Sequence, residues 1–151
     1  MDTRAARSVI ARALTKTRNR TAYWLDLGNN AASGQFVLGQ PLNSRNRRKA
    51  VRLRTVSELY PEIIDAEGGE DPLPSCSAVE ALDRQEPFIN QTLAMSALAM
   101  LARLFRYGML THHGGFFNAQ RGVISPLPVD PHLWSKTRRR AKFASASFKQ
   151  N

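Results

Sequence analysis

The chain's one cysteine, Cys76, stands immediately before a helical pattern that opens at Ser77. A thiol at a helix amino end meets partial positive charge, which lowers its pKa and raises the thiolate fraction. Only the thiolate attacks carbonyl or phosphoryl centres, so one reading of Cys76 is a nucleophile. The other reading is a small buried hydrophobe, the commoner fate of a free cysteine. A lone cysteine also excludes an intrachain disulfide and any metal centre built from several thiolates. His112 and His113 are adjacent and point in different directions, so they make a poor metal pair, and a turn beside Gly114-Gly115 is expected of them. A phosphate-cradling loop is missing, since the sequence contains neither G-x-G-x-x-G nor G-x-x-x-x-G-K-[ST]. Gly68-Gly69 lies among acids that would repel a nucleotide.

Several elements must position these groups. Residues 3–18 place Ala6, Val9, Ile10, Ala13 and Leu14 on one helical stripe with the arginines facing water. Asp2 suits the start of that helix, where a carboxylate accepts orphan backbone N–H groups. Tyr23–Leu27 has strand composition, Gly28-Asn29-Asn30 marks a turn, and Gln35–Leu38 is a second apolar run. The pair predicts an antiparallel hairpin. Gln40–Lys49 is basic and irregular, Ala50–Thr55 a brief extended piece, and Val56–Tyr60 at most a helical turn stopped by Pro61.

Residues 62–75 read as an acidic loop. The helical pattern from Ser77 breaks at Pro87 and resumes at Phe88. It carries Leu93, Ala97, Met100, Leu101, Leu104 and Phe105 and stops at Gly108. Apolar on most sides, it is expected to pack between other elements. After the histidine and glycine turn come Phe116-Phe117 and Val123-Ile124, a last hairpin whose edge ends at Pro126 and Pro128. The aromatics Trp24, Phe36, Phe88, Phe105, Phe116 and Phe117 are expected in the core. One domain over 1–134 and a mobile basic tail over 135–151 complete the organisation.

Net charge is +10 over 151 residues, of which 42% are hydrophobic, enough for a real core. The positive charge falls in blocks: Arg4 to Arg20, Arg45 to Arg54, and Lys136 to Lys149. A nucleic-acid partner is one reading of these blocks and a solvated basic surface the other. No apolar run is long enough to span a membrane, and no secretory signal opens the chain. A cytoplasmic setting is expected, although the Arg-rich, acid-poor opening also has transit-peptide character.

Three passages resemble the second half of the ThiF/MoeB/HesA family of adenylating enzymes, bacterial relatives of ubiquitin-activating enzymes, and especially the ThiF branch of PRTRC systems. Asp2-Thr3-Arg4-Ala5-Ala6-Arg7 is similar to the family's Asp-Asn-x-x-x-Arg at a helix start. Tyr23–Leu38 resembles the strand and Gly-Gln hairpin that follow it. Pro74-Ser75-Cys76-Ser77, leading to Gln85, Asn90 and the long helix, resembles the crossover region. The resemblance spans about residues 2–130 and implies the carboxyl-terminal half of a Rossmann-like, mixed-sheet α/β domain, with antiparallel hairpins and one long buried helix.

It further implies that a carrier protein's terminal carboxylate attacks the α-phosphate of Mg-ATP, giving an acyl adenylate and pyrophosphate. Asp2 would then serve the Mg²⁺-ATP, Arg7 would position it, and Cys76 would take the acyl group as a thioester. A ubiquitin-like or sulfur-carrier protein is the implied partner, with homodimerisation possible. Two departures matter. Thr3 replaces the family's asparagine, and the zinc-binding cysteine pairs are missing, so no zinc is expected. The Gly-rich phosphate loop belongs to the half not in this chain, which is therefore expected to be inactive alone. Two readings of other classes stand beside this one: a non-enzymatic module that docks a ubiquitin-like carrier through its hairpins, and a basic nucleic-acid accessory protein.

Overall fold

Four antiparallel strands and four helices make up an α/β fold in the computed structural model, which describes residues 4–16, 18–64 and 86–137. Packing divides the described residues into two units, one holding 25–38 and 86–129, the other 4–24, 39–64 and 130–137.

The first unit is organised by the sheet. Strands β1 (Trp24–Asn29) and β2 (Ser33–Gly39) are joined by a turn that Asn30 closes. Its Oδ1 accepts the N–H of Ala32 at 3.2 Å and of Ser33 at 2.8 Å, the local bonding that makes asparagine a turn residue. β2 pairs antiparallel with β3 (His112–Asn118), running from Ser33 opposite Asn118 to Val37 opposite Gly114. β3 pairs in turn with β4 (Val123–Pro128), so the sheet order follows the chain, β1-β2-β3-β4. Both expected hairpins therefore form, and they join into one sheet.

The expected turn at His112–Gly115 does not form, because all four residues lie within β3. The glycines are there for close approach. A Cβ on Gly114 would stand 2.5 Å from the Phe36 carbonyl, and one on Gly115 would stand 2.9 Å from the Phe36 ring. A glycine pair inside a strand reads as a turn on composition alone, and here backbone crowding is the reason for it. Pro126 falls within β4 and Pro128 ends it as expected, both of which an edge strand permits because it has one unpaired side.

The long helix α3 (Ile89–Tyr107) packs Ile89, Leu93, Ala97 and Met100 inward and ends at Gly108, whose φ of 70° is the left-handed cap expected of it. The Leu93 side chain occupies the place where a side chain on Gly34 would sit. The helix is buried on that face only. Met95, Leu98, Ala102 and Phe105 are exposed, and so is Phe88 before it. Phe88 and Phe105, expected in the core, are 73% and 82% exposed, whereas Trp24 and Phe36 are buried as expected.

In the second unit α1 (Arg4–Leu14) packs on α2 (Val56–Leu59) and on the 3₁₀ turn Pro61–Ile64. Val56 and Leu59 form its apolar centre. A last helix, α4, covers residues 131–137 and is capped by Asp130, whose Oδ1 accepts the N–H of His132 at 2.8 Å and of Leu133 at 3.3 Å. Trp134 on it is buried. Ala50–Thr55 is irregular, without strand pairing. Of the span expected as a tail, 135–137 continue this helix, and the remainder lies outside the described residues, as do most of the acidic loop and the segment from Ser77 to Gln85.

Candidate functional site

Of the residues singled out for chemistry, Asp2 and Cys76 lie outside the described residues. Arg7 is described and is the one residue that α1 buries, at 7% exposure. A buried guanidinium on a helix whose Arg12 points to water is a placed group, because burying an unmatched charge is costly.

Ala11, Leu14 and Thr15 follow Arg7 at the spacing of one helical face. They line a cavity of about 190 Å³ together with Trp24, Pro41, Leu42, Thr55, Ser57 and Glu58. Small-molecule sites commonly occupy roughly 300–1,000 Å³, so this space fits a side chain or a small group and is too small for a nucleotide. Its wall is mostly apolar, with Thr15, Thr55, Ser57 and Glu58 as the polar exceptions.

Glu58 is the electrostatic centre of the unit. Its Oε1 and Oε2 receive the two terminal nitrogens of the buried Arg52, at 2.5 and 2.8 Å. Arg54 approaches Oε1 at 3.2 Å, while the Thr55 N–H and hydroxyl both reach Oε2 at 3.0 Å. Burial alone would raise this carboxyl's pKa. The Arg52 and Thr55 hydrogen bonds and the Arg52 charge outweigh it and bring the pKa down to about 2. Glu58 is therefore a fixed anion with a structural partner, unsuited to proton transfer near neutrality. The Thr55-Val56-Ser57-Glu58 run carries the S/T-x-x-E signature of a capping box, a signal present in the sequence that would have found this carboxylate.

Arg52 also donates to the Gln40 carbonyl at 2.6 Å, and Leu53 N–H donates to Gln40 Oε1 at 3.1 Å. Beyond Gln40, two asparagines hold the irregular basic loop. Asn43 Nδ2 donates to the Thr21 carbonyl at 3.0 Å. Asn46 Nδ2 is shared among the carbonyls of Thr21, Ala22 and Pro41 at 3.0–3.1 Å. Neither asparagine is exposed. Nothing in the spacing of Asn43 and Asn46 marks them, because two of the three carbonyls they satisfy lie more than twenty residues away.

In the first unit His113 is buried on β3, with Nδ1 2.8 Å from the Leu38 carbonyl. Burial pushes its pKa below the ordinary histidine value, and the carbonyl contact opposes this only in part. Burial thus favours the neutral imidazole, and a neutral ring bonded to a carbonyl donates from Nδ1. No group of three or more metal-ligating side chains occurs among the described residues. No described helix is long and apolar enough to cross a membrane.

Compared with models of known protein families, with curated proteins and with solved structures, the chain matches none.

Proposed function

We propose that this chain is part of an ATP-dependent adenylyltransferase that activates the terminal carboxylate of a ubiquitin-like or sulfur-carrier protein, and that it is inactive without a nucleotide-binding half. The observation that supports this reading is the order of elements. A helix carrying a buried arginine precedes a hairpin, then a long helix, then a second hairpin that completes one antiparallel sheet in chain order. The resemblance of residues 2–130 implies the helix, the first hairpin and the long helix in that order, but within a mixed sheet, whereas the described strands are all antiparallel.

In this reading Asp2 offers Mg²⁺ the hard oxygen it prefers. Arg7 orients the pocket wall, and Cys76 accepts the acyl group where a thioester follows. Adenylation is catalysed mainly by charge stabilisation at the phosphates, so a chain without the Gly-rich loop lacks most of what lowers the barrier. ATP–pyrophosphate exchange tests the proposal. The chain alone should give none, whereas the chain mixed with a ThiF-type nucleotide-binding half and a carrier protein should give exchange that Asp2→Ala removes. Exchange by the chain alone, or exchange in the mixture indifferent to Asp2→Ala, would end this reading.

A second copy of the chain is part of the proposal. Met95, Leu98, Ala102 and Phe105 recur on α3 at steps of three and four, the seam spacing of paired helices, and all four are exposed. Glu86 precedes the helix while Arg103 and Arg106 lie at its far end, so an antiparallel pair brings opposite charges together.

A further inference from the structure

We infer that the surface formed by residues 18–20 and 45–49 is a binding site for the phosphate backbone of a nucleic acid. Arg18, Arg20, Arg45, Arg47, Arg48 and Lys49 are all exposed. They come from two stretches of sequence that the fold ties together. Asn43 Nδ2 spans from its own loop to the Thr21 carbonyl and, at 3.5 Å, to Asn19 Oδ1, while Asn46 reaches the carbonyls of Thr21 and Ala22. Within the loop Asn43 Oδ1 accepts the N–H of Arg45 at 3.0 Å and of Asn46 at 3.2 Å. Six exposed cations are therefore carried by two segments that two fully buried carboxamides tie together.

Among the described residues these cations have no carboxylate partner. In the same unit Arg52 and Arg54 differ, since they share Glu58. The basic run of residues 45–54 is thus divided, its last two arginines sharing one carboxylate and its first four cations left facing water. Like charges held this close repel one another, and salt screens them only over a Debye length of about 8 Å. Fixing them with buried polar groups costs stability unless a polyanion relieves the repulsion. Two features favour nucleic acid over an anionic lipid surface. Five of the six cations are arginines, whose planar forks match phosphate oxygens two at a time. The backbone that carries them is also rigidly held, which a diffuse lipid charge does not require. Tyr23 beside it has Lys49 over its ring at 5.4 Å, so this ring is engaged by a cation and the proposed contact is to phosphate, without base stacking. This surface is independent of the adenylation proposal.

The test is the salt dependence of binding by the full chain to a 20-base-pair DNA duplex, a 20-nucleotide oligo-dT and an RNA of equal length, followed by fluorescence anisotropy. Six neutralised phosphates predict a log–log slope of about −5 on the duplex and about −4 on the single strands. Arg47→Gln with Arg48→Gln should flatten the slope by about 2 and weaken binding at least tenfold. Arg47→Lys with Arg48→Lys should leave the slope in place. The inference is overturned if the glutamine variant binds like the parent. It is equally overturned if Arg138→Gln, Arg139→Gln and Arg140→Gln together abolish all binding, or if phosphatidylserine vesicles are bound and none of the nucleic acids is.

Discussion

The sheet unit and the helical unit are held together by different means. In the first, α3 sets Leu93, Ala97 and Met100 inward, and two strand glycines let backbone and ring close up against β3. In the second, Val56 and Leu59 supply a small apolar centre, and much of the remaining order comes from Asn43, Asn46, Gln40 and the Arg52–Glu58 pair. Apolar contacts tolerate substitution in proportion to the volume lost. Polar contacts fail abruptly, because removing one partner strands the other in a dry place. The two units should therefore break under different challenges.

The largest effect is expected from Glu58→Ala, which leaves the Arg52 charge buried without its counterion. A loss of about 3–5 kcal/mol, measured by urea unfolding followed at Trp24 and Trp134, would mark the ion pair as the second unit's keystone. Next comes Leu93→Ala in the sheet unit, at about 3 kcal/mol for a cavity beneath α3. Asn46→Ala, which strands carbonyls of Thr21, Ala22 and Pro41, should cost about 2 kcal/mol. It should raise amide exchange first in residues 19–22 and 41–49, where Leu93→Ala should raise it in the strands.

Acid sharpens the contrast. His113 has a depressed pKa in the fold, so its contribution is complete above the ordinary value of 6.5 and fades as pH falls below it. Glu58, at about 2 against 4.5, contributes fully above 4.5 and loses on the order of 3 kcal/mol as pH falls towards 2. Amide exchange should therefore show the sheet unit beginning to weaken as pH falls below 6.5, and the helical unit as it falls below 4.5. Replacing His113 with glutamine should flatten the upper step and leave the lower one. The smallest effect on stability belongs to Leu98→Glu on the exposed seam of α3, within about 0.5 kcal/mol. Its readout is sedimentation, where a dimer of the parent chain should become a monomer.

The same contrast explains what the sequence disclosed. The helix from Ile89 to Gly108, both hairpins, the first helix and the short turn before Pro61 follow from periodicity and from turn residues, which act over a few positions. The second apolar face of α3 was legible as composition, but which face would be covered was not, since that depends on partners distant in the chain. His112–Gly115 misled for a related reason: glycine marks both sharp turns and tight packing, and only the neighbour, Phe36, decides between them. The polar ties of the second unit were nearly silent. Asn43 and Asn46 look like any loop asparagines until the carbonyls they serve are in place. The basic run around Arg45 was visible as charge, yet its division into two arginines that share Glu58 and four exposed cations was not. Of the residues expected at the site, Arg7 alone could be located, and its burial is what composition could not supply.

The two prolines of β4 reach beyond local geometry. Each removes an N–H from the outermost strand, so a copy of the chain arriving side by side finds a broken row of donors. Val123 and Ile124 can then stay half in water at that rim without inviting the sheet to extend from molecule to molecule. Resistance to fibre growth is thus written into the same short segment that finishes the sheet.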